Sequence, residues 1–270
     1  MQPLFAQTLS EQQIPQLKKE NVDSVFKFEK LIAGQFTMAE VDILDNIYLF
    51  TKDKQLKKLK PNGDSAAVFN DVKQYGNPSY IDVSNPLKIL VYYKNFTTVV
   101  VLDRFLSFRN SINFRNNNIF SVKAITTSYD NNIWIFDDQD FKLKKIADDG
   151  STMSATNDWR QIFDETPIPT KIIDKDNFVY LYDAEKGFYI FDYYGTFKNN
   201  LPFLHWQQIA INNKQIIGFV KDTLYTYALQ SLNLKSYQLP TFMQGYISIK
   251  AINGKLYLLK KEGLYIYSIL

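Results

Sequence analysis

Six copies of a turn-and-strand unit predict that this chain is an all-β protein with a six-bladed β-propeller fold. Each copy joins a polar Asn, Asp or Gly turn to a strand of aromatic and aliphatic residues. Aromatic residues make up 16% of the 270 residues, and they favour strands because their rings pack on neighbours across a sheet. Repetition and composition therefore agree on a ring of small antiparallel sheets.

The repeat is regular along the chain. Its copies cover 45–50, 85–91, 131–136, 176–181, 213–219 and 253–258. Successive copies are separated by 42, 44, 45, 38 and 40 residues, counted between Ile47, Ile89, Ile133, Phe178, Ile216 and Leu256. A period of this length with several strands per unit is typical of four-stranded propeller blades.

A partner strand is predicted after each copy, across a short turn that contains Lys, Asp, Asn or Gly. The predicted partner strands cover 56–59, 98–102, 141–146, 188–191, 224–227 and 264–267. Such turns indicate hairpins. Asn253-Gly254 is the clearest turn signal in the chain, because both central residues of a type I′ turn need a positive φ.

The sixth unit has three strands, so its outer strand must come from elsewhere in the chain. We expect the segment 25–32 to supply it and to close the ring, which removes an exposed sheet edge. Alternation along this segment places Phe26, Phe28 and Ile32 on one face and Lys27 and Glu29 on the other.

The chain divides into an N-terminal segment over 1–22 and a single propeller domain over 23–270. Leu4-Phe5-Ala6-Gln7 is similar to the end of a secretory signal peptide, although no charged and apolar regions precede it. The segment is interpreted either as a signal-peptide remnant with a linker or as an ordinary N-terminus. We expect a periplasmic or exported location, with the cytoplasm as the alternative.

The residues 176–182, followed by Gly187-Phe188-Tyr189-Ile190-Phe191-Asp192, resemble the repeats of NHL-like and TolB-like six-bladed propellers. The resemblance covers about 38–270 as architecture, and it implies a closed ring of six blades. The glycines and basic residues common in those repeats are mostly absent, so a ligand such as RNA does not carry over.

Composition limits the partners. The formal net charge is +3, from 31 basic and 28 acidic residues that are interspersed along the chain, so no nucleic-acid partner is expected. No apolar run approaches the roughly 20 residues of a membrane-spanning helix, so no transmembrane segment is expected. The chain has no cysteine, which excludes disulfides and thiolate metal sites.

Catalytic signals are sparse. His205 is the only histidine, so a Ser-His-Asp triad could use no other residue, and a cluster of histidine ligands is excluded. Because the chain has one histidine and few arginines, a non-catalytic binding module is favoured over an enzyme. The alternative is a hydrolase or lyase that acts on a sugar or lactone, with carboxylates in the central channel and a divalent ion.

No cofactor is expected, and calcium is the alternative. Four aspartates lie two or three residues apart in turns, as oxygen ligands of calcium do, namely Asp137, Asp140, Asp174 and Asp176. Solvated turns that end strands are the preferred interpretation of these residues.

The hairpins between the second and third strands of the blades should all emerge on one face, and this face is the predicted docking surface for a protein partner. Its candidates combine lysines with acidic and aromatic residues, as interface anchors do: Lys52, Lys54, Tyr93, Lys94, Phe96, Asp137, Asp140, Lys186, Asp222 and Lys261. The predicted setting is an accessory subunit of a bacterial envelope complex, such as an outer-membrane secretion or transport complex.

Overall fold

The computed structural model describes residues 26–70, 75–212 and 214–269. In chain order, the described part begins with β1 (Phe26–Ala33), which belongs to the last blade. Blade 1 contains β2 (Phe36–Val41), β3 (Ile47–Thr51), β4 (Leu56–Leu59) and β5 (Ser65–Phe69). Blade 2 contains β6 (Tyr80–Asn85), β7 (Lys88–Tyr93), β8 (Thr98–Asp103) and β9 (Phe108–Asn113).

The remaining blades follow the same order. Blade 3 contains β10 (Val122–Thr127), β11 (Ile133–Asp137), β12 (Lys142–Ile146) and β13 (Thr152–Ala155). Blade 4 contains β14 (Lys171–Lys175), β15 (Phe178–Asp183), β16 (Gly187–Asp192) and β17 (Phe197–Leu201). Blade 5 contains β18 (Gln207–Asn212), β19 (Gln215–Val220), β20 (Thr223–Ala228) and β21 (Asn233–Gln238). Blade 6 contains β22 (Ser248–Ile252), β23 (Lys255–Lys260) and β24 (Gly263–Ile269), with β1 as its outer strand.

The first strands of the blades surround a central channel. Contacts join β2 to β6, β6 to β10, β10 to β14, β14 to β18, β18 to β22 and β22 back to β2, so the ring is closed. The predicted all-β, six-bladed propeller is confirmed.

Closure by the N-terminal strand is also confirmed, since β1 pairs antiparallel with β24. A bulge differs from the predicted alternation: Phe28 lies opposite Tyr267 and Lys30 opposite Ile266, which leaves Glu29 as an extra residue. Phe26 is buried, whereas Phe28 is exposed. The extra residue shifts the alternation, so Ile32, opposite Leu264, lies on the other face from Phe26 and Phe28, which pair with Ile269 and Tyr267. The predicted single apolar face of this strand was therefore wrong at Ile32, which packs towards blade 1, whereas Phe26 packs towards blade 5.

Helical structure in the described residues is limited to short 3-10 turns, at Lys94–Phe96, Phe114–Asn117, Trp159–Gln161 and Thr241–Met243. No described helix has the length and apolar character needed to cross a membrane.

A hydrophobic cluster fills each of the six interfaces between neighbouring blades. Both faces of the second and third strands contact a neighbouring blade, which is why β3 and β7 are buried throughout. The interface of blades 3 and 4 is rich in aromatic residues: Trp159, from the connection between the two blades, stacks on Phe191 with ring centroids 5.0 Å apart.

Aspartates on the first strands join neighbouring blades. Asp82 of blade 2 accepts hydrogen bonds from Thr126 Oγ1 at 3.2 Å and from the Thr127 N–H at 2.7 Å, both in blade 3. Asp174 of blade 4 likewise binds donors of blade 3, including the Trp134 indole N–H at 2.9 Å. Such bonds fix the angular position of the blades because the acceptors are buried or half-buried and engaged by several donors.

Buried tyrosines make the fold sensitive to alkaline pH. Burial raises the pKa of Tyr92, Tyr180 and Tyr182 to about 12, against 10.0 for a free tyrosine. The native state holds these protons more tightly than the unfolded state does, so it loses stability as pH rises from the pKa of the unfolded state to that of the native state. We expect the free energy of unfolding, measured by urea titration, to fall steadily between about pH 10 and pH 12. Tyrosinate absorbance that rises fully near pH 10 without unfolding would contradict this expectation.

Candidate functional site

The antiparallel order of the blades creates two distinct faces. The hairpin face carries the turns between second and third strands together with the connections between blades. The turn face carries the turns between first and second strands and between third and fourth strands. All ten predicted binding residues belong to hairpins of the hairpin face.

Several of these residues are open to solvent. Lys52, Lys54, Lys94 and Lys261 are exposed, and Phe96 is exposed at the end of its 3-10 turn. Lys186 is half-buried and donates to the Thr166 carbonyl at 3.2 Å, and Asp222 is half-buried as well. These side chains are distributed around the ring and form no single cluster.

Two of the predicted binding residues are buried. Tyr93 is 1% exposed and packs on Tyr75, which in turn contacts the Phe96 ring. Asp137 is also 1% exposed, and its carboxylate accepts a hydrogen bond from Lys144 at 2.6 Å. A period of two residues cannot distinguish the interior of a blade interface from the rim, because both faces of these strands are apolar.

The four aspartates considered for calcium have other partners or lie apart. Asp137 and Asp140 both bind the Lys144 ammonium, and these bonds raise its pKa although burial acts in the opposite direction. Asp174 accepts from the Trp134 indole and the Tyr193 hydroxyl, and Asp176 is exposed. The described residues contain no group of three or more His, Asp or Glu side chains placed to hold a metal ion.

The turn face presents large apolar side chains at the tips of its turns. Five of the six blades contribute one or two of them, each 61% to 96% exposed: Leu44, Leu87, Phe105, Tyr129, Tyr194 and Leu232. We call these six residues the tip ring. Turn tips usually hold Gly, Asn, Asp, Ser or Pro, so exposed apolar tips on five blades are unusual.

The tip ring is held by acidic and amide side chains. In four of these turns, the side-chain oxygen of an Asp or Asn accepts a hydrogen bond from the backbone N–H of the apolar residue two positions later, at 2.8 to 2.9 Å. The four pairs are Asp42 with Leu44, Asn85 with Leu87, Asp103 with Phe105, and Asp192 with Tyr194. The same kind of turn also ends on polar residues, on the hairpin face at Gln139 and on the turn face at Asp64 and Ser151. Four members of the tip ring therefore combine a hydrogen-bonded turn backbone with an exposed apolar side chain.

The central channel encloses about 180 Å³ and gathers charged groups from different blades. Glu40 of blade 1 forms an ion pair with Lys250 of blade 6. Lys171 of blade 4 also lines the channel, and among the described residues its ammonium has no hydrogen-bond or ion-pair partner. Burial lowers the pKa of Lys171, although Glu40 and Asp82 act in the opposite direction. Burial raises the pKa of Tyr80, on the channel wall of blade 2.

Sequence reasoning did not single out the channel lysines. The sequence feature that could have identified them is a charged residue within a mainly apolar first strand, as in Ser248-Ile249-Lys250-Ala251-Ile252. His205, in contrast, lies on the hairpin face, is exposed, and has its Nδ1 at 3.4 Å from Glu185 Oε1. The single histidine of the chain is therefore outside the channel.

Solved structures with similar folds include β-propeller proteins, and the similarity concerns the fold alone. No protein-family model matches the sequence, and no curated protein matches it either. A streptogramin B lyase is 15% identical with a TM-score of 0.58, over 86% of this chain and 78% of the lyase. Virginiamycin B lyase from Staphylococcus aureus is 13% identical with a TM-score of 0.58, over 90% of this chain and 89% of the lyase. The Swd1 β-propeller domain of Myceliophteria thermophila is 10% identical with a TM-score of 0.61, over 91% of this chain and all of that domain.

Proposed function

We propose that this protein is a non-catalytic binding module that docks a protein partner through its turn face. The observation that carries the proposal is the tip ring, in which five blades hold a large apolar side chain in solvent. Burying such a side chain contributes roughly 1.5–3 kcal/mol, and a rigid backbone lowers the entropy lost on binding. A partner with a complementary apolar surface is therefore the occupant that suits this face.

The setting that we propose is an accessory subunit of a bacterial envelope complex, in the periplasm. This part of the proposal rests on the sequence Leu4-Phe5-Ala6-Gln7, which lies outside the described residues. A docking module needs no membrane-spanning element of its own when its partner belongs to the membrane.

The test compares the two faces in one affinity experiment from native membrane extract. We expect the wild-type protein to recover a specific partner and the Leu87→Ser, Phe105→Ser double variant to lose at least about 90% of it, since each side chain contributes a tenfold or larger factor. The matched control is the hairpin-face double variant Lys94→Glu, Lys186→Glu, which should recover the partner unchanged. Melting curves should show that both variants are folded.

Loss of the partner only in the hairpin-face variant would place docking on the residues first predicted from sequence and would contradict the turn-face proposal. Recovery of no specific partner by the wild-type protein would contradict docking altogether.

An enzyme is the second candidate, supported by the charged channel. Glu40 and Asp82 are channel carboxylates of the kind that a sugar- or lactone-specific hydrolase or lyase requires, but both already bind protein donors, Lys250 and Thr127. A variant of virginiamycin B lyase with one histidine replaced by alanine is described as catalytically inactive, whereas the single histidine of this chain is on the rim. Turnover of sugars or lactones by the full-length protein, abolished by Lys171→Met, would favour the enzyme over the binding module.

A further inference from the structure

A large cavity in the described part of the chain lies between blades 5 and 6 and opens on the turn face. It encloses about 850 Å³, a volume in the range of small-molecule binding sites. It adjoins the channel mouth, because Ile43, Lys175, Asn212 and Ile252 line both spaces. The cavity is nevertheless separate from the tip ring, none of whose residues lines it.

The interior wall of the cavity is mainly apolar, with Thr226 and Tyr237 as its hydroxyl-bearing members. Ile217 and Leu224 contribute from blade 5, and Phe26, Ala251 and Ile269 contribute from blade 6. The packed core between these blades includes Phe26, Leu224 and Ala251, so the cavity continues the hydrophobic interior out to the surface. Apolar walls of this kind favour a hydrocarbon chain over water.

The mouth of the cavity is cationic. Lys175, at the end of β14, and Lys214, in the turn before β19, both line it. Within the described residues neither ammonium has an ion pair or a hydrogen bond, whereas other lysines of the turn face are paired, such as Lys88 with Asp148 and Lys255 with Asp45. Asp176 is the one acidic residue among the described residues of the lining, which also include Lys175 and Lys214, so this part of the mouth has an excess of positive charge.

We propose that this cavity binds a single-chain fatty acid, with its carboxylate between Lys175 and Lys214 and its hydrocarbon chain against Ile217, Leu224 and Phe26. The carboxylate supplies the anion that both lysines lack, and the Asn212 side chain at the same mouth offers an amide donor. The hydrocarbon chain fills a space whose walls are mainly apolar, so its transfer from water is favourable. The site is independent of the docking proposal, since the two involve different residues.

The test is calorimetric titration of the full-length protein with octanoate, decanoate and dodecanoate below their micellar concentrations. We expect one saturable site and a dissociation constant that falls roughly fourfold for each added CH₂ group. Dodecyltrimethylammonium, which has the same chain and the opposite charge, should bind at least tenfold more weakly.

Two kinds of variant test separately the contribution of the two lysine charges and that of the cavity volume. Lys175→Gln with Lys214→Gln should weaken dodecanoate binding tenfold or more, while the matched pair Lys221→Gln with Lys261→Gln on the hairpin face should bind as the wild type does. Thr226→Phe, which fills the cavity from a half-buried wall position, should abolish binding without a change in melting midpoint. Absence of saturable binding to the full-length protein, or equal affinity for the cationic amphiphile, would overturn the proposal. Loss of fatty-acid binding in these variants with unchanged partner capture would separate this site from the docking function.

Discussion

Replacing Asp174 by alanine should destabilise the protein by about 3 kcal/mol or more, because one half-buried carboxylate serves four donors from two blades. Its Oδ2 accepts from the Ser128 hydroxyl at 3.2 Å, the Tyr129 N–H at 3.1 Å and the Trp134 indole at 2.9 Å. Its Oδ1 accepts from the Tyr193 hydroxyl at 2.6 Å, and this bond together with burial raises the pKa of Tyr193. Removal of the carboxylate leaves these donors without their acceptor.

Urea unfolding followed by circular dichroism measures this effect. Asp174→Asn should lie between the wild type and the alanine variant, since an amide keeps one oxygen acceptor but turns an NH₂ group towards donors. The matched control is Asp53→Ala on the hairpin face, an exposed aspartate whose loss should cost less than about 0.5 kcal/mol. Equal stability of Asp174→Ala and Asp53→Ala would show that the aspartate does not hold blades 3 and 4 together.

Replacing Trp159 by alanine should cost about 3–5 kcal/mol, the range for removal of a large aromatic side chain from a packed core. Trp159 is fully buried, stacks on Phe191, and contacts the Phe136 ring at a centroid distance of 4.8 Å. Its indole N–H donates to Thr156 Oγ1 at 3.0 Å, so the alanine variant also loses a hydrogen bond.

The same unfolding measurement applies, with Tyr194→Ala as the control. Tyr194 is an aromatic residue of blade 4 that is 96% exposed, so its removal should change the free energy of unfolding by less than about 0.5 kcal/mol. Trp159→Phe should lose part of the stability, because a smaller ring keeps the stack but leaves a cavity. A loss below about 1 kcal/mol for Trp159→Ala would mean that the interface can close around the missing ring.

The architecture could be predicted from sequence because each blade is specified locally. The predicted unit at 131–136 corresponds to β11 (Ile133–Asp137), and its partner at 141–146 corresponds to β12 (Lys142–Ile146). Hairpins of this length depend on neighbouring residues and turn chemistry, both of which are visible in the sequence. The closing strand was predictable for a related reason. An unpaired sheet edge promotes aggregation and is usually covered, and the residues 25–32 have the alternating pattern of a strand that could cover it.

The candidate sites could not be predicted in the same way. Tyr93 and Phe96 are three residues apart and similar in character, yet one is buried in the interface of blades 1 and 2 and the other is exposed. Glu40 and Lys250 are 210 positions apart in the chain and meet only because blade 6 closes against blade 1. No local pattern contains that information.

The sequence by itself determined the number of blades, the order of their strands and the segment that closes the ring, because these follow from hydrophobic periodicity and turn residues within about 45 positions. The tertiary structure alone decided which charges meet in the channel, which apolar turn residues remain in solvent, and where two blades leave a cavity between them. These properties depend on contacts between blades, and the geometry of such contacts is set by how six sheets pack around one axis.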